Sequence, residues 1–235
     1  MKNTVLLIIT SLLFQCSSFG QNADTYINQG IAKAKAEDYS GAIADYTKAI
    51  ELDPESATAY GLRGREKCSL EDYNGAIADM NKAIVINPKS STFYYTRGLA
   101  KELSKNYTGA IADYNKAIEI ESFGQYYDAR GDAKLDLEDN RGAIEDYSKA
   151  IEIYPNDKVA YFKRGAAKLN LKDYKGALAD YNKVIELNPK NKEAYSNRGI
   201  AKLNLKDKNG ACLDWSKAGE LGYEEAYDMI KKNCN

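Results

Sequence analysis

Histidine is absent from these 235 residues. That removes Ser-His-Asp and Cys-His catalysis, histidine-ligated metals and a histidine pH switch. Tryptophan occurs once and proline four times, and with only 17 glycines the composition is not that of a linker or a disordered chain. Charge of one sign is also missing: 33 Lys and Arg face 34 Asp and Glu, a net charge of -1. A nucleic-acid partner needs a basic surplus, which is not there. No Cys-x-x-Cys pair supports a redox or zinc reading, and no cofactor or metal is expected. No apolar run approaches the roughly 20 residues of a membrane span.

The one apolar stretch lies at the N-terminus. Lys2 precedes a mostly apolar run from Val5 to Phe14, and Ser18-Phe19-Gly20 places small residues before Gln21. This is the three-part pattern of a secretory signal over residues 1–20. Leu13-Phe14-Gln15-Cys16 resembles a lipobox, although Gln15 is bulkier than the small residue such motifs carry. A lipid anchor at Cys16 is therefore the alternative to simple cleavage. Either route predicts an extracytoplasmic protein, periplasmic or secreted, with outer-membrane attachment in the lipidated case.

What the chain has is a period. Gly-Ala recurs at Gly41, Gly75, Gly109, Gly142, Gly176 and Gly210, in steps of 34, 34, 33, 34 and 34. Gly30, Gly64, Gly98, Gly131, Gly165 and Gly199 keep the same beat eleven or twelve residues earlier. Pro54, Pro88, Pro155 and Pro189 close four of the units, and Ser122 stands at the missing proline. Within a unit the apolar residues recur at helical steps, as in Ala177, Leu178, Tyr181, Val184 and Ile185. Each unit reads as two amphipathic helices, A and B, joined at a turn such as Asp173-Tyr174-Lys175 and stopped by its proline.

Tyr26, Gly30, Ala42, Tyr46, Ala49 and Pro54, with their counterparts in five further units, follow the tetratricopeptide skeleton of W-x2-LG-x2-Y, A-x3-F and P. The chain resembles that family over about residues 23–223. The resemblance implies an all-α fold, a right-handed α-solenoid of six helix-turn-helix repeats at about 23–56, 57–90, 91–123, 124–157, 158–191 and 192–223. Residues 224–235 read as a capping helix and tail, with Ala226, Tyr227 and Ile230 on the apolar side. Cys212 and Cys234 lie ten and twelve residues from the turn at Gly222, so antiparallel helices would bring them together as a disulfide.

The departures from the skeleton are as regular as the matches. Tyrosine takes the tryptophan position, lysine the second tyrosine position, and arginine the leucine position in repeats two to six: Arg63, Arg97, Arg130, Arg164 and Arg198. Helix B always carries an aspartate: Asp45, Asp79, Asp113, Asp146, Asp180 and Asp214. These charges should form a structural ladder. Gln29 replaces arginine in the first repeat, where no aspartate precedes it, so the expected register joins each aspartate to the arginine of the following repeat.

The helix A face that lines the concave groove in this family varies from unit to unit, while the scaffold positions hardly change. Candidate partner-binding residues there are Arg65, Tyr95, Leu99, Asp128, Asp132, Asp136, Phe162 and Lys163. Asp128, Asp132 and Asp136 share one helical face, a spacing that costs a few tenths of a kcal/mol per pair and so is not selected for helix stability. The expectation is a groove for an extended segment with basic and apolar residues. Chaperone-binding relatives clamp a carboxylate with Lys and Asn, but Ile27, Ile31, Leu62, Thr92 and Thr96 stand at the matching positions. Asp136 to Gly142 misplaces the glycine of a calcium loop. With no nucleophile–base pair, no catalytic residue is assigned. The expected function is a non-enzymatic scaffold for a protein or peptide partner, monomeric rather than oligomeric. Self-assembly in the cell envelope, and an accessory role beside an envelope enzyme, are the alternatives.

Overall fold

The computed structural model describes residues 22–234, and every regular element among them is an α-helix. The leader, its cleavage site and Cys16 lie outside the described residues. Among those described, no helix is long and apolar enough to cross a membrane. The chain divides into two compact units, up to Pro88 and from Lys89.

The first unit contains two helix pairs: α1 (Ala23–Lys35) with α2 (Tyr39–Leu52), and α3 (Ala57–Ser69) with α4 (Tyr73–Ile86). The second contains four: α5 (Ser91–Leu103) with α6 (Tyr107–Ile120), α7 (Gly124–Asp136) with α8 (Asn140–Ile153), α9 (Lys158–Asn170) with α10 (Tyr174–Leu187), and α11 (Lys192–Asn204) with α12 (Lys208–Glu220). A last helix, α13 (Glu225–Asn233), packs on α12. Inside each unit successive pairs pack B helix on the next A helix.

Each A–B turn is built the same way. The A helix ends in a left-handed residue, Glu37, Glu71, Lys105, Glu138, Lys172 or Lys206, at φ between 61° and 70°. Glycine usually holds this place, because an L side chain is strained there. The next residue, Asp or Asn, caps the B helix: in the first turn Asp38 Oδ1 accepts from the Gly41 amide at 2.9 Å. The close packing of A on B rests on the other glycine. A Cβ on Gly131 would meet the Tyr147 ring at 2.8 Å, and one on Gly199 would meet Trp215 at 2.6 Å. Met80 fills the place of the ring against Gly64.

At the C-terminal end Ala226 is buried, and Ile230 and Tyr223 pack around Trp215. Tyr227 departs from expectation: its ring rests over Gly219 but remains 57% exposed, so it belongs to the rim and not to the buried side of the cap. Cys212 and Cys234 are joined in a disulfide with Cα atoms 5.9 Å apart, tying α13 to α12.

The charged ladder exists, but in another register from the one expected. Each arginine forks onto the aspartate of its own pair, not that of a neighbour. Arg63 Nε and Nη2 donate to Asp79 at 2.9 and 2.7 Å, and Arg130 makes the same fork on Asp146 at 2.9 and 2.5 Å. Arg97, Arg164 and Arg198 repeat it on Asp113, Asp180 and Asp214. A lysine four residues after each arginine adds a second cation, as Lys134 does on Asp146 at 2.8 Å. The arginine's remaining donor reaches back to an uncharged side chain on the preceding B helix: Arg63 to Thr47, Arg130 to Asn115, Arg164 to Ser148, Arg198 to Asn182. That third contact accounts for Gln29. No described helix precedes α1, so an arginine there would have no backward partner. Among the described residues Asp45 has Lys33 as its ion-pair partner, at 2.6 Å. The tyrosine at the tryptophan position completes the set, since each arginine guanidinium lies 5.2–5.5 Å from a Tyr ring centre one turn earlier.

Candidate functional site

The residues singled out on the A helices fall into three groups. Tyr95 and Leu99, on α5, are packing residues: Tyr95 lies 4.8 Å from the Tyr126 ring centre and 5.9 Å from that of Tyr114, and Leu99 packs against the buried cluster around Tyr114. Neither is an exposed anchor. Arg65 belongs to the first unit, where it pairs with its neighbour Glu66 at 2.7 Å. The remaining five, Asp128, Asp132, Asp136, Phe162 and Lys163, stand on α7 and α9 of the second unit.

The acidic trio is not uniform. Asp132 has structural work: Oδ1 accepts from the Tyr147 hydroxyl at 2.7 Å, and Oδ2 takes the Lys163 ammonium at 2.5 Å. Fold stability therefore does favour one member of the trio, contrary to the reading from helical spacing, which sees no contact 31 residues away. Lys163 is not free for a partner; it neutralises the centre of the patch. Asp136 is exposed at the C-terminal end of α7. Asp128 differs from both, because its Oδ1 is buried without a hydrogen-bond partner. Burial, and then the neighbouring Asp157, push the Asp128 carboxyl up to about 6, while Lys163 acts in the opposite direction. A carboxylate held this way gains from any donor or cation brought to it.

Glu102, on α5, extends the same acidic surface. It accepts from the Tyr114 hydroxyl at 2.5 Å, and burial raises its carboxyl above the ordinary range. Tyr114 and Tyr147 are raised well above the usual phenol range, first by burial and then through Glu102 and Asp132. Both are donors only. Beside this surface Phe162 packs edge-on to Tyr181, 5.6 Å between centres. With Lys158, Val159, Asn191 and Glu193 it lines a mostly apolar cavity of about 240 Å³. The face thus offers one unsatisfied carboxylate oxygen and one apolar recess on adjacent A helices.

Two features escaped the sequence reading. Glu66, in α3, is only 3% exposed. It stands where the other A helices carry Ala32, Ala100, Ala133, Ala167 and Ala201, so the signal was a broken Gly-x-Ala-Lys rhythm. The Tyr46 hydroxyl, in α2, is buried with no partner. Cys68 is a free thiol pushed up to about 11 by burial and the nearby Asp72, which keeps it protonated and unreactive near neutral pH. Among the described residues no cluster of three metal-ligating side chains occurs.

Comparison with known proteins agrees with this architecture. Family models described as tetratricopeptide repeat match residues 23–56, 91–122, 124–157 and 159–191, four of the six helix pairs. No curated protein sequence matches the chain. Among solved structures, YrrB, described as a TPR protein with an unusual peptide-binding site, is 25% identical with a TM-score of 0.71, over 79% of this chain and 97% of that one. A tetratricopeptide repeat protein from Parabacteroides merdae is 22% identical with a TM-score of 0.65, over 96% and 90%. PilF of Pseudomonas aeruginosa is 17% identical with a TM-score of 0.75, over 89% and 97%. The last two likenesses are of fold alone.

Proposed function

We infer that this chain, which belongs to the tetratricopeptide repeat family, is a non-enzymatic scaffold that holds an extended protein segment against the A helices of its second unit. All six helix pairs count as repeats in this reading, including the two that the family models do not match. The observation that carries it is Asp128: a buried carboxylate oxygen without a hydrogen-bond partner. The segment brings a lysine or arginine to Asp128 and lays an apolar side chain in the recess beside Phe162. The peptide-binding description of YrrB supports this use of the fold. The leader pattern places the encounter outside the cytoplasm, and the chain acts there as a monomer.

The test is selection of displayed twelve-residue peptides on the chain from residue 22 onward. Selected sequences should pair a basic residue with an aromatic or aliphatic one. Asp128→Asn and Phe162→Ala should each weaken them about fivefold or more, since each removes a buried contact. Unchanged affinity in both variants would remove the site from this face.

A further inference from the structure

The first unit carries a second site, of opposite charge. Ile31, Ala34 and Lys35 on α1 and Leu62, Arg65 and Glu66 on α3 line a cavity of about 300 Å³. Three of these residues make apolar walls, and the charges of the other three leave one positive charge over. Two positions of the A helix decide the sign: the residue after its glycine and the one four further on. Over the six pairs they are charged only as Arg65 and Lys35 in the first unit and as Asp132 and Asp136 in the second. The positions that offer carboxylates in one unit therefore offer cations in the other.

Glu66 supports this arrangement. A glutamate at a position that is a fully buried alanine in Ala100, Ala133, Ala167 and Ala201 is costly unless its charge is answered. Arg65 answers it, with Nε and Nη2 both donating to Oε1 at 3.0 and 2.7 Å. The fork fixes a guanidinium whose side chain is otherwise 56% exposed. Among the described residues Nη1 has no acceptor. Lys35, also exposed, has no ion pair there either. With Glu66 neutralised by Arg65, Lys35 is the charge left over, and one carboxylate cancels it.

We propose that this cavity binds the side chain of a glutamate from a partner protein. Its carboxylate takes the Lys35 ammonium and Arg65 Nη1, and its methylene stem lies against Ile31, Ala34 and Leu62. Arg65 then bridges two carboxylates, the buried one that orients it and the incoming one that it recognises. Glu66 is a positioning residue. The source is a side chain and not a chain terminus. A terminal carboxylate adjoins a peptide group that needs hydrogen-bonding partners of its own, and the apolar walls supply none. The site does not rest on the reading of the second unit, and it gives one chain two contact points of opposite sign.

The experiment is fluorescence anisotropy with the C-terminally amidated peptide Gly-Ser-Leu-Ser-Glu-Ser-Leu-Ser-Gly and a version carrying glutamine at the centre. A third peptide has the central glutamine and a free C-terminal carboxylate. The chain carries Asp128→Asn throughout, so that the second unit's carboxylate does not contribute. The glutamate peptide should bind about tenfold more tightly than the amidated glutamine peptide, as expected of charge-assisted bonds. Lys35→Gln should remove most of that preference, and so should Arg65→Gln combined with Glu66→Ala. Neither should lower the thermal midpoint, since Lys35 is exposed and alanine replaces Glu66 in the other pairs. Equal binding of the two amidated peptides, or a preference that survives both variants, overturns the site. A free-carboxylate glutamine peptide that binds as tightly as the glutamate peptide overturns the assignment to a side chain. Because Asp128 is replaced throughout, none of these results bears on the reading given for it.

Discussion

Asp146 and Asp128 belong to one helix pair, α8 and α7, and meet opposite fates. Asp146 receives two bonds from Arg130 and a second cation, Lys134, and all three side chains are fixed by neighbours. Asp128 keeps a buried oxygen with no donor. The first arrangement recurs in every pair from α3 onward, with the same fork and the same tyrosine beneath the guanidinium. Among the described residues Asp45 Oδ2 also lacks a hydrogen bond, but it lies 2.6 Å from the Lys33 ammonium, whereas Asp128 Oδ1 has no ion pair. A buried carboxylate that is saturated and repeated is scaffold; one that is unsatisfied and singular is a place where something else is needed.

The largest test of this contrast is a pair of substitutions. Asp146→Ala leaves Arg130 and Lys134 without their counter-charge and should cost about 3 kcal/mol, the lower end for breaking a buried pair because both cations are partly exposed. Asp128→Asn should leave stability at pH 7 unchanged or raised, because it removes a charge that burial disfavours. Urea unfolding followed by Trp215, the chain's single tryptophan and part of the second unit, reads both. Equal losses would erase the distinction between ladder and site.

Asp132 is the intermediate case and sharpens the comparison. It lies on the variable face yet has two partners, Tyr147 and Lys163. Asp132→Ala should cost about 1–2 kcal/mol, chiefly because the buried Tyr147 hydroxyl loses its acceptor while the partly exposed ion pair contributes little. The same urea measurement checks it. A loss as large as that of Asp146→Ala would mean that the ladder extends onto this face.

These distinctions were unevenly written in the sequence. The period of the glycines placed the helix pairs and their turns, because one residue type at two fixed positions answers to close backbone approach alone. The partners of charged groups were less legible. From Arg63, Asp79 lies 16 residues on and Asp45 lies 18 back, so spacing does not choose between them. Gln29 was a true signal of a missing neighbour, but the neighbour was an uncharged residue like Thr47 and not an aspartate. Lys163 on Asp132, and the packing of Tyr95 and Leu99, depend on how one pair lies on the next, which no single repeat contains. Glu66 was legible in principle, as the one break in a run of alanines.

The smallest effect is the dependence on pH. The Asp128 carboxyl is raised from an ordinary 3.8 to about 6 by burial and by Asp157, with Lys163 opposing and Asp132 adding a little. Between those values the folded chain holds a proton that the unfolded chain has released. Stability from this group is therefore present at pH 4 and is lost as pH rises to about 6. Glu102 shifts in the same direction, so the reading must be a difference. The stability of Asp128→Asn minus that of the unaltered chain should grow from pH 4 to 6 and level off above. A basic peptide on the second unit should tighten over the same interval for the unaltered chain only, because it binds the ionised form. A difference that stays flat would show Asp128 to be hydrated like any surface carboxylate, and the contrast with Asp146 would reduce to a count of partners.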